Sequence, residues 1–267
     1  MNTVPLGEIK FLPTAEKHKA LQELYARYNS YDKVAALTSI GHSTVAYAVS
    51  ASNKAQAAIR NKRTKVARNK AHKLEKTSKG CIDCGYSLNA EALDYDHEKD
   101  TEIKLFTIGQ GHRNKSQKLV NAEKAKCVIR CSNCHRYKTY REENNLDDLK
   151  ARTYTYSPEL LAEYMSNIES KTKDPSFKLP YKTREYIYDM ISMIKESQPC
   201  TDCNTFHRFF AMDYDHVRGK KVADLSRMLK KANTDYLSVI FEEIAKCDLV
   251  CSNCHRVRTA SRRAKKN

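Results

Sequence analysis

The feature that most constrains this chain is a cysteine framework that occurs twice. Residues 81–84 read Cys-Ile-Asp-Cys, and residues 200–203 read Cys-Thr-Asp-Cys. Each pair is followed by the same tetrapeptide, Asp94-Tyr95-Asp96-His97 and Asp213-Tyr214-Asp215-His216. Each repeat then closes with the same hexapeptide, Cys131-Ser132-Asn133-Cys134-His135-Arg136 and Cys251-Ser252-Asn253-Cys254-His255-Arg256. The opening pairs are offset by 119 residues and the closing hexapeptides by 120, so the copies differ by one residue in spacing. Such a pattern predicts two like units, each gathering four sulfurs from two short-spaced pairs.

All ten Cys fall inside the repeats, five in each. Disulfide bonding is one reading. The N-terminus, however, shows no basic leader, apolar segment or small-residue cleavage site of a secretory signal. Cys pairs at this spacing are therefore expected to be thiolates on zinc in a reducing compartment, the cytoplasm. Cys81, Cys84, Cys131 and Cys134 would close one tetrahedron, and Cys200, Cys203, Cys251 and Cys254 the other. Four Cys leave no open position, so both zinc ions are expected to be structural. Units of roughly 60–80 residues bury too little apolar area to be stable alone, and metal binding supplies folding free energy. Cys127 and Cys247, four residues before their pairs, read as small buried thiols rather than fifth ligands.

Forty per cent apolar residues, seven Gly and six Pro predict an α+β, mostly helical protein with short connections. The formal net charge of +16 points to an anionic polymer, because Lys and Arg that neutralise phosphates release condensed counterions. No apolar run has membrane-spanning length, so no membrane partner is expected.

Residues 1–60 read as a helical domain. Leu21, Leu24 and Tyr25 form one stripe of a helix over Ala15 to Tyr28. Ser30 to Leu37 reads as a capped short helix, and Ile40-Gly41-His42-Ser43 as a turn in which Ser43 caps Thr44 to Val49. This predicts a helix-turn-helix-like unit whose second helix would enter the major groove, with a plain three-helix bundle as the alternative. From Lys54 to Lys79 there are ten Lys and Arg against one acid, Glu75. That run, with Arg60, Lys62, Arg63 and Lys65 at its centre, is expected to meet backbone phosphate. Residues 61–140 form the first zinc module, 141–180 a helical linker, and 181–267 the second module. In the linker, Ser157 and Pro158 start a helix over Leu160 to Ser170, flanked by the polar stretches 141–156 and 171–180. Tyr181 to Glu196 reads as the second module's lead-in helix, with Ile187, Met190, Ile191 and Ile194 on its apolar side. The basic tail, Arg262 to Lys266, is expected to fray.

The acids and histidines left over by zinc carry the chemistry. Leu93 to His97 and Met212 to His216 look like strands, with Asp94 and Asp96 on one face and Tyr95 and His97 on the other. His135 and His255 fall in the first turn of a helix. A carboxylate on a strand and an imidazole on a facing helix can hold one divalent cation, with room for a phosphate oxygen and water. A second imidazole can then take a proton from the attacking water.

At these residues, over about 62–140 and again 181–260, the sequence resembles the HNH endonuclease superfamily. The resemblance is closest to its zinc-stapled branch, with CxxC, Asp-His and CxxCH. The doubled DxDH is similar to the recombination endonuclease VII family. The resemblance implies two ββα-metal folds, each a β-hairpin and a helix around one catalytic Mg²⁺ or Mn²⁺. It implies His97 and His216 as general bases, Asp96 and Asp215 as metal ligands, and His135 and His255 completing the sites. Asp94 and Asp213 are the alternative ligands. Lys126 and Lys246 stand where the family's middle Asn usually lies, and Asn133 and Asn253 are the nearby Asn shared by both repeats. Lys138 and Arg258 would bind phosphate.

In the second repeat Val217-Arg218-Gly219-Lys220-Lys221 follows the family's pattern after the Asp-His. The first reads Glu98-Lys99-Asp100-Thr101, which makes it the expected degenerate copy. The remaining histidines, His18, His42, His72, His112 and His207, are unpaired between repeats and are expected to carry no chemistry. The expected activity is cleavage of double-stranded DNA by one or two HNH sites, acting as an internal pseudo-dimer in a monomer, or in a dimer. Related enzymes of phages and mobile elements set the biological analogy. The competing readings are a non-catalytic zinc-containing DNA-binding regulator and a protein that binds or cuts RNA.

Overall fold

The computed structural model describes residues 5–98, 103–111 and 115–265, with the backbone only at 51, 52, 110 and 111. The chain is α+β and mostly helical, with two separate two-stranded sheets among the described residues. It divides into two compact units, one ending at Ala71 and one beginning at His72. No described helix is long and apolar enough to cross a membrane.

In the first unit, helices α1 (Thr14–Tyr28), α2 (Tyr31–Thr38) and α3 (His42–Val49) surround Leu21, Val34, Ile40, Val45 and Ala48. Asn29 (φ 47°) and Ser39 (φ 53°) end α1 and α2 in the left-handed conformation, which turns the chain within two or three residues. Ser30 caps α2 as expected, its Oγ accepting from the Lys33 N–H at 3.3 Å. Helix α3 starts earlier than expected. The Gly41 carbonyl accepts from the N–H of Thr44 and Val45, which makes Gly41, not Ser43, the N-cap. Gln22 Nε2 donates to the Ala48 carbonyl at 2.8 Å and ties α1 to α3.

Helix α4 (Ala51–Lys79) takes in the whole basic run, and its last turns lead into the first cysteine pair. Two hairpins follow the same plan. Strand β1 (Leu93–His97) is followed by α5 (Ile108–Gly111) and α6 (Gln117–Lys124), then β2 (Cys127–Cys131) and α7 (Ser132–Glu143). The expected polar stretch 141–156 contains one further helix, α8 (Asp148–Arg152), because Asp147 accepts from the Lys150 N–H at 2.7 Å. Helix α9 (Pro158–Lys173) is capped by Ser157 and runs past the expected end, and α10 (Thr183–Glu196) is the second lead-in helix. Then come β3 (Met212–His216), α11 (Leu225–Leu229), α12 (Leu237–Ala245), β4 (Cys247–Cys251) and α13 (Ser252–Lys265).

Both strand pairs are antiparallel and in the same register: Leu93 faces Cys131 and His97 faces Cys127, as Met212 faces Cys251 and His216 faces Cys247. The largest core lies in the second repeat. There the amphipathic spacing of Tyr186, Ile187, Met190 and Ile191 on α10 packs against Leu225, Met228, Leu237 and Ile240. Each hairpin has a small core of its own, Cys81, Leu93, Ile129 and Cys131 in the first repeat and Cys200, Met212, Leu249, Val250 and Cys251 in the second. Helix α13 stays ordered to Lys265 where a frayed tail was expected, because Arg262 pairs with Asp215; Lys266 lies outside the described residues.

Candidate functional site

The sulfurs come together first. In each repeat the four expected Cys place their Sγ atoms within 4.8 Å of one another, and none is in a disulfide. Each CxxC forms a tight turn whose next residue takes the left-handed conformation, Gly85 (φ 70°) in one copy and Asn204 (φ 52°) in the other. The Ile82 N–H donates to the Ile129 carbonyl and the Thr201 N–H to the Leu249 carbonyl, both at 2.9 Å, so each turn is fastened to its hairpin. Four thiols converging at this spacing, with no other donor among them, fit a structural metal ion such as zinc. Cys127 and Cys247 stay outside both clusters. Each donates its Sγ–H to the carbonyl of the preceding glutamate, and burial pushes both thiols up to about 11.

Because β2 and β4 run straight into α7 and α13, the imidazole that follows each last Cys falls over its own hairpin. His135 Nδ1 lies 3.3 Å from Asp94 Oδ2, and its Nε2 lies 3.3 Å from Asp96 Oδ1. His255 Nδ1 lies 2.9 Å from Asp213 Oδ2, and its Nε2 lies 3.5 Å from Asp215 Oδ1. Each imidazole thus spans the acid doublet of its own repeat, on the strand face expected from period-2 alternation.

The two acids of each doublet differ. Asp96 is buried and accepts from Arg130 and from Lys138 Nζ at 3.0 Å. Asp215 is buried and accepts from Arg258 at 3.1 Å and Arg262 at 2.6 Å. Asp94 and Asp213 keep about a quarter of their side-chain surface exposed (24% and 23%). Lys138 and Arg258, expected on phosphate, are committed to carboxylates. Arg258 also pairs with Asp202 at 2.5 Å and Asp248 at 2.9 Å.

His97 and His216 lie on the opposite strand face and meet partners that sequence reading missed. His97 Nε2 donates to Glu123 Oε1 at 2.8 Å, and His216 Nε2 to Glu243 Oε1 at 2.6 Å. Both glutamates are fully buried and also accept a backbone N–H, from Leu105 and Val222. The signal was available: Glu-x-Ala-Lys-Cys stands before β2 and β4 in both repeats. Lys76 and Lys195 are a second missed pair, each five residues before its first Cys. Lys76 Nζ donates to the Leu93 carbonyl and Lys195 Nζ to the Met212 carbonyl at 2.9 Å. Burial lowers both ammonium groups, that of Lys195 to about 8.

Asn133 and Asn253 do not face the acid doublets. They form the joint between the repeats, each backbone N–H donating to the other's Oδ1 at 3.1 Å. The next turn of each helix crosses over. Arg136 donates to Asp213 Oδ1 at 2.8 Å and Oδ2 at 3.0 Å, and Arg256 donates to Asp94 Oδ1 at 2.5 Å. Burial would raise the Asp213 carboxyl, but His255 and Arg136 outweigh it and hold it at about 2.

Asp213, Asp215, His216 and His255 line one cleft of about 890 Å³, together with the cations Arg184 and Lys195. His135 borders a smaller hollow of about 410 Å³ with Arg136, Arg256, Tyr140 and Phe210. The first repeat's Lys99 to Thr101, and His112, lie outside the described residues. Arg60, Lys62, Arg63 and Lys65 are exposed on α4. No family model, curated protein or solved structure matches the chain.

Proposed function

We propose that the chain is a metal-dependent DNA endonuclease with two HNH-like zinc modules, of which the second is the stronger site. The observation that carries this reading is the meeting of Asp213 and His255 at 2.9 Å in a cleft that His216 and several cations share. A carboxylate oxygen and an imidazole nitrogen at that separation suit a single Mg²⁺ or Mn²⁺ with remaining positions free. Such an ion would supply Lewis-acid stabilisation of the charge on the phosphate and the leaving oxygen.

The chain's own residues do the rest. Glu243 accepts from Nε2 of His216, which leaves the lone pair of that ring on Nδ1, the atom that would take a proton from water. Arg184 and Lys195 bring positive charge to the cleft, where a phosphodiester would lie. In the first unit, α3 exposes His42, Ser43, Thr44 and Tyr47 while burying Val45 and Ala48. We assign that face to reading duplex DNA as the second helix of a helix-turn-helix, and the basic part of α4 to backbone phosphate.

One observation favours a second reading, a non-catalytic zinc-containing DNA-binding protein. The acid doublets of both repeats already have arginine partners, as a purely structural network would. Plasmid cleavage with Mg²⁺ or Mn²⁺ decides between them. The endonuclease reading expects divalent-dependent cleavage that His216→Ala impairs and the His97→Ala/His216→Ala pair abolishes. Tight, salt-sensitive duplex binding without cleavage in either ion would establish the regulator instead.

A further inference from the structure

The hexapeptide Cys-Ser-Asn-Cys-His-Arg ends each hairpin and begins each helix, and its last two residues serve different repeats. Consecutive helical residues point about 100° apart. His255 therefore turns down onto Asp213 of its own strand, while Arg256 reaches Asp94 of the other repeat. Likewise His135 meets Asp94 and Arg136 reaches Asp213. The acids that receive these arginines are the ones placed best for a cation, not the buried pair Asp96 and Asp215. The reciprocal Asn133–Asn253 hydrogen bonds fix the two helices in the register that allows this exchange.

We infer that Arg136 and Arg256 are exchanged positioning residues: each repeat supplies the guanidinium that orients the cation-binding aspartate of the other. Neither site is then complete within its own repeat. The inference rests on the endonuclease reading, since it assigns Asp94 and Asp213 to a catalytic cation. The exchange is unequal. Arg136 grips both oxygens of Asp213 and also donates to the Phe210 carbonyl at 3.1 Å, whereas Arg256 makes one hydrogen bond to Asp94 Oδ1. A bidentate guanidinium fixes the plane of a carboxylate as well as its position. Asp213 Oδ2 is thereby held toward His255 Nδ1, the other half of the ligand pair.

The test is direct Mn²⁺ binding to the full chain, followed by electron paramagnetic resonance or calorimetry, with zinc content as the folding control. An Asp94→Asn background silences the first site and leaves the second to be read. There Arg136→Met is expected to weaken Mn²⁺ binding by about 10–100-fold, the usual cost of losing the group that orients a metal ligand. Arg136→Lys, which keeps the charge but not the fork, should recover part of that loss. Arg256→Met in the same background should leave binding as it was. In an Asp213→Asn background the roles reverse, with a smaller loss for Arg256→Met.

Unchanged or tighter binding in Arg136→Met would overturn the inference, since the arginine would then be a bystander or a competitor of the ion. So would a loss confined to the arginine's own repeat. If Arg136→Met fails to keep two zinc ions, Arg136→Lys against wild type carries the same comparison. Wild-type protein that binds no Mn²⁺ beside its zinc would overturn the endonuclease reading itself, before any variant is made.

Discussion

The two four-cysteine modules share their Cys framework, hairpin register and acid doublet, yet they are built on different amounts of apolar material. Around the second, α9 to α12 bury Tyr186, Ile187, Met190, Ile191 and Ile240 in one continuous core. The hairpin cores themselves are alike, Cys81, Leu93, Ile129 and Cys131 in the first and Cys200, Met212, Leu249, Val250 and Cys251 in the second; among the described residues no helical core of that size adjoins the first. The contrast reaches the site. Asp213 and His255 open on a cleft of about 890 Å³ that also takes in His216, while among the described residues the 410 Å³ hollow at His135 takes in neither acid of the first doublet. Both copies carry the same Cys, Asp and His positions, and the packing around them differs.

The largest expected effect separates the modules by their dependence on metal. Binding of structural zinc is worth roughly 10–16 kcal/mol in small zinc modules, far more than a four-residue core can replace. Cys131→Ser should cost one zinc ion and unravel the first hairpin altogether. Cys251→Ser should also cost one zinc, but leave α10 and α12 protected by their shared core. Hydrogen exchange of the two variants checks this. Equal loss of protection around Tyr186 and around Ile129 in the respective variants would mean that the larger core adds nothing.

The next effect separates them by activity. His255→Ala should lower divalent-dependent cleavage by about 100-fold, within the range for removing an essential active-site group, and His135→Ala by less than about tenfold. Equal losses, each leaving nicked plasmid, would show that both modules cut, one strand apiece, and that the difference in clefts has no catalytic meaning.

The joint should treat the modules alike. Asn133→Ala and Asn253→Ala each leave one buried backbone N–H without its acceptor, at a cost of about 1–3 kcal/mol. Chemical denaturation should give similar losses for the two. A loss from one alone would break the pseudo-symmetry of the interface.

How much of this was legible beforehand follows from what repeats in the sequence and what does not. The zinc clusters, the strand at Asp94 to His97, the helical position of His135 and the caps at Ser30 and Ser157 are local in origin. Spacing, period-2 alternation or one side-chain hydrogen bond fixes each of them. Asn133 and Arg136 were visible as a repeated pattern, but their partners lie in the other repeat, and no local rule says that a helix will cross to a strand some eighty residues away. Glu123 and Glu243 also repeat, in Glu-x-Ala-Lys-Cys, but their role was not legible from that. A Glu near a helix end reads as solvated surface, and only the fold shows that each is buried beneath a histidine. The choice between Asp94 and Asp96 was open because alternation puts both on one face; only the fold shows that Asp96 meets cations from β2 and α7 while Asp94 meets one from the other repeat.

The smallest effect concerns the paired lysines beneath the strands. Burial lowers Lys195 to about 8, against an ordinary value near 10.4 for a free lysine, so the unfolded chain binds more protons between those two pH values. Stability contributed through Lys195 is therefore fully present above about pH 10.4 and lost as pH falls through about 8. The difference in unfolding free energy between wild type and Lys195→Met should rise in favour of wild type from pH 8 to 10. Lys76 is lowered in the same direction by burial, opposed by Asp94. Its burial is less complete, so the curve for Lys76→Met should rise less. Urea titrations at several pH values compare the two pairs of curves. Parallel curves for wild type and Lys195→Met would show that this ammonium reaches water, and that the second module's strand is no better sealed than the first.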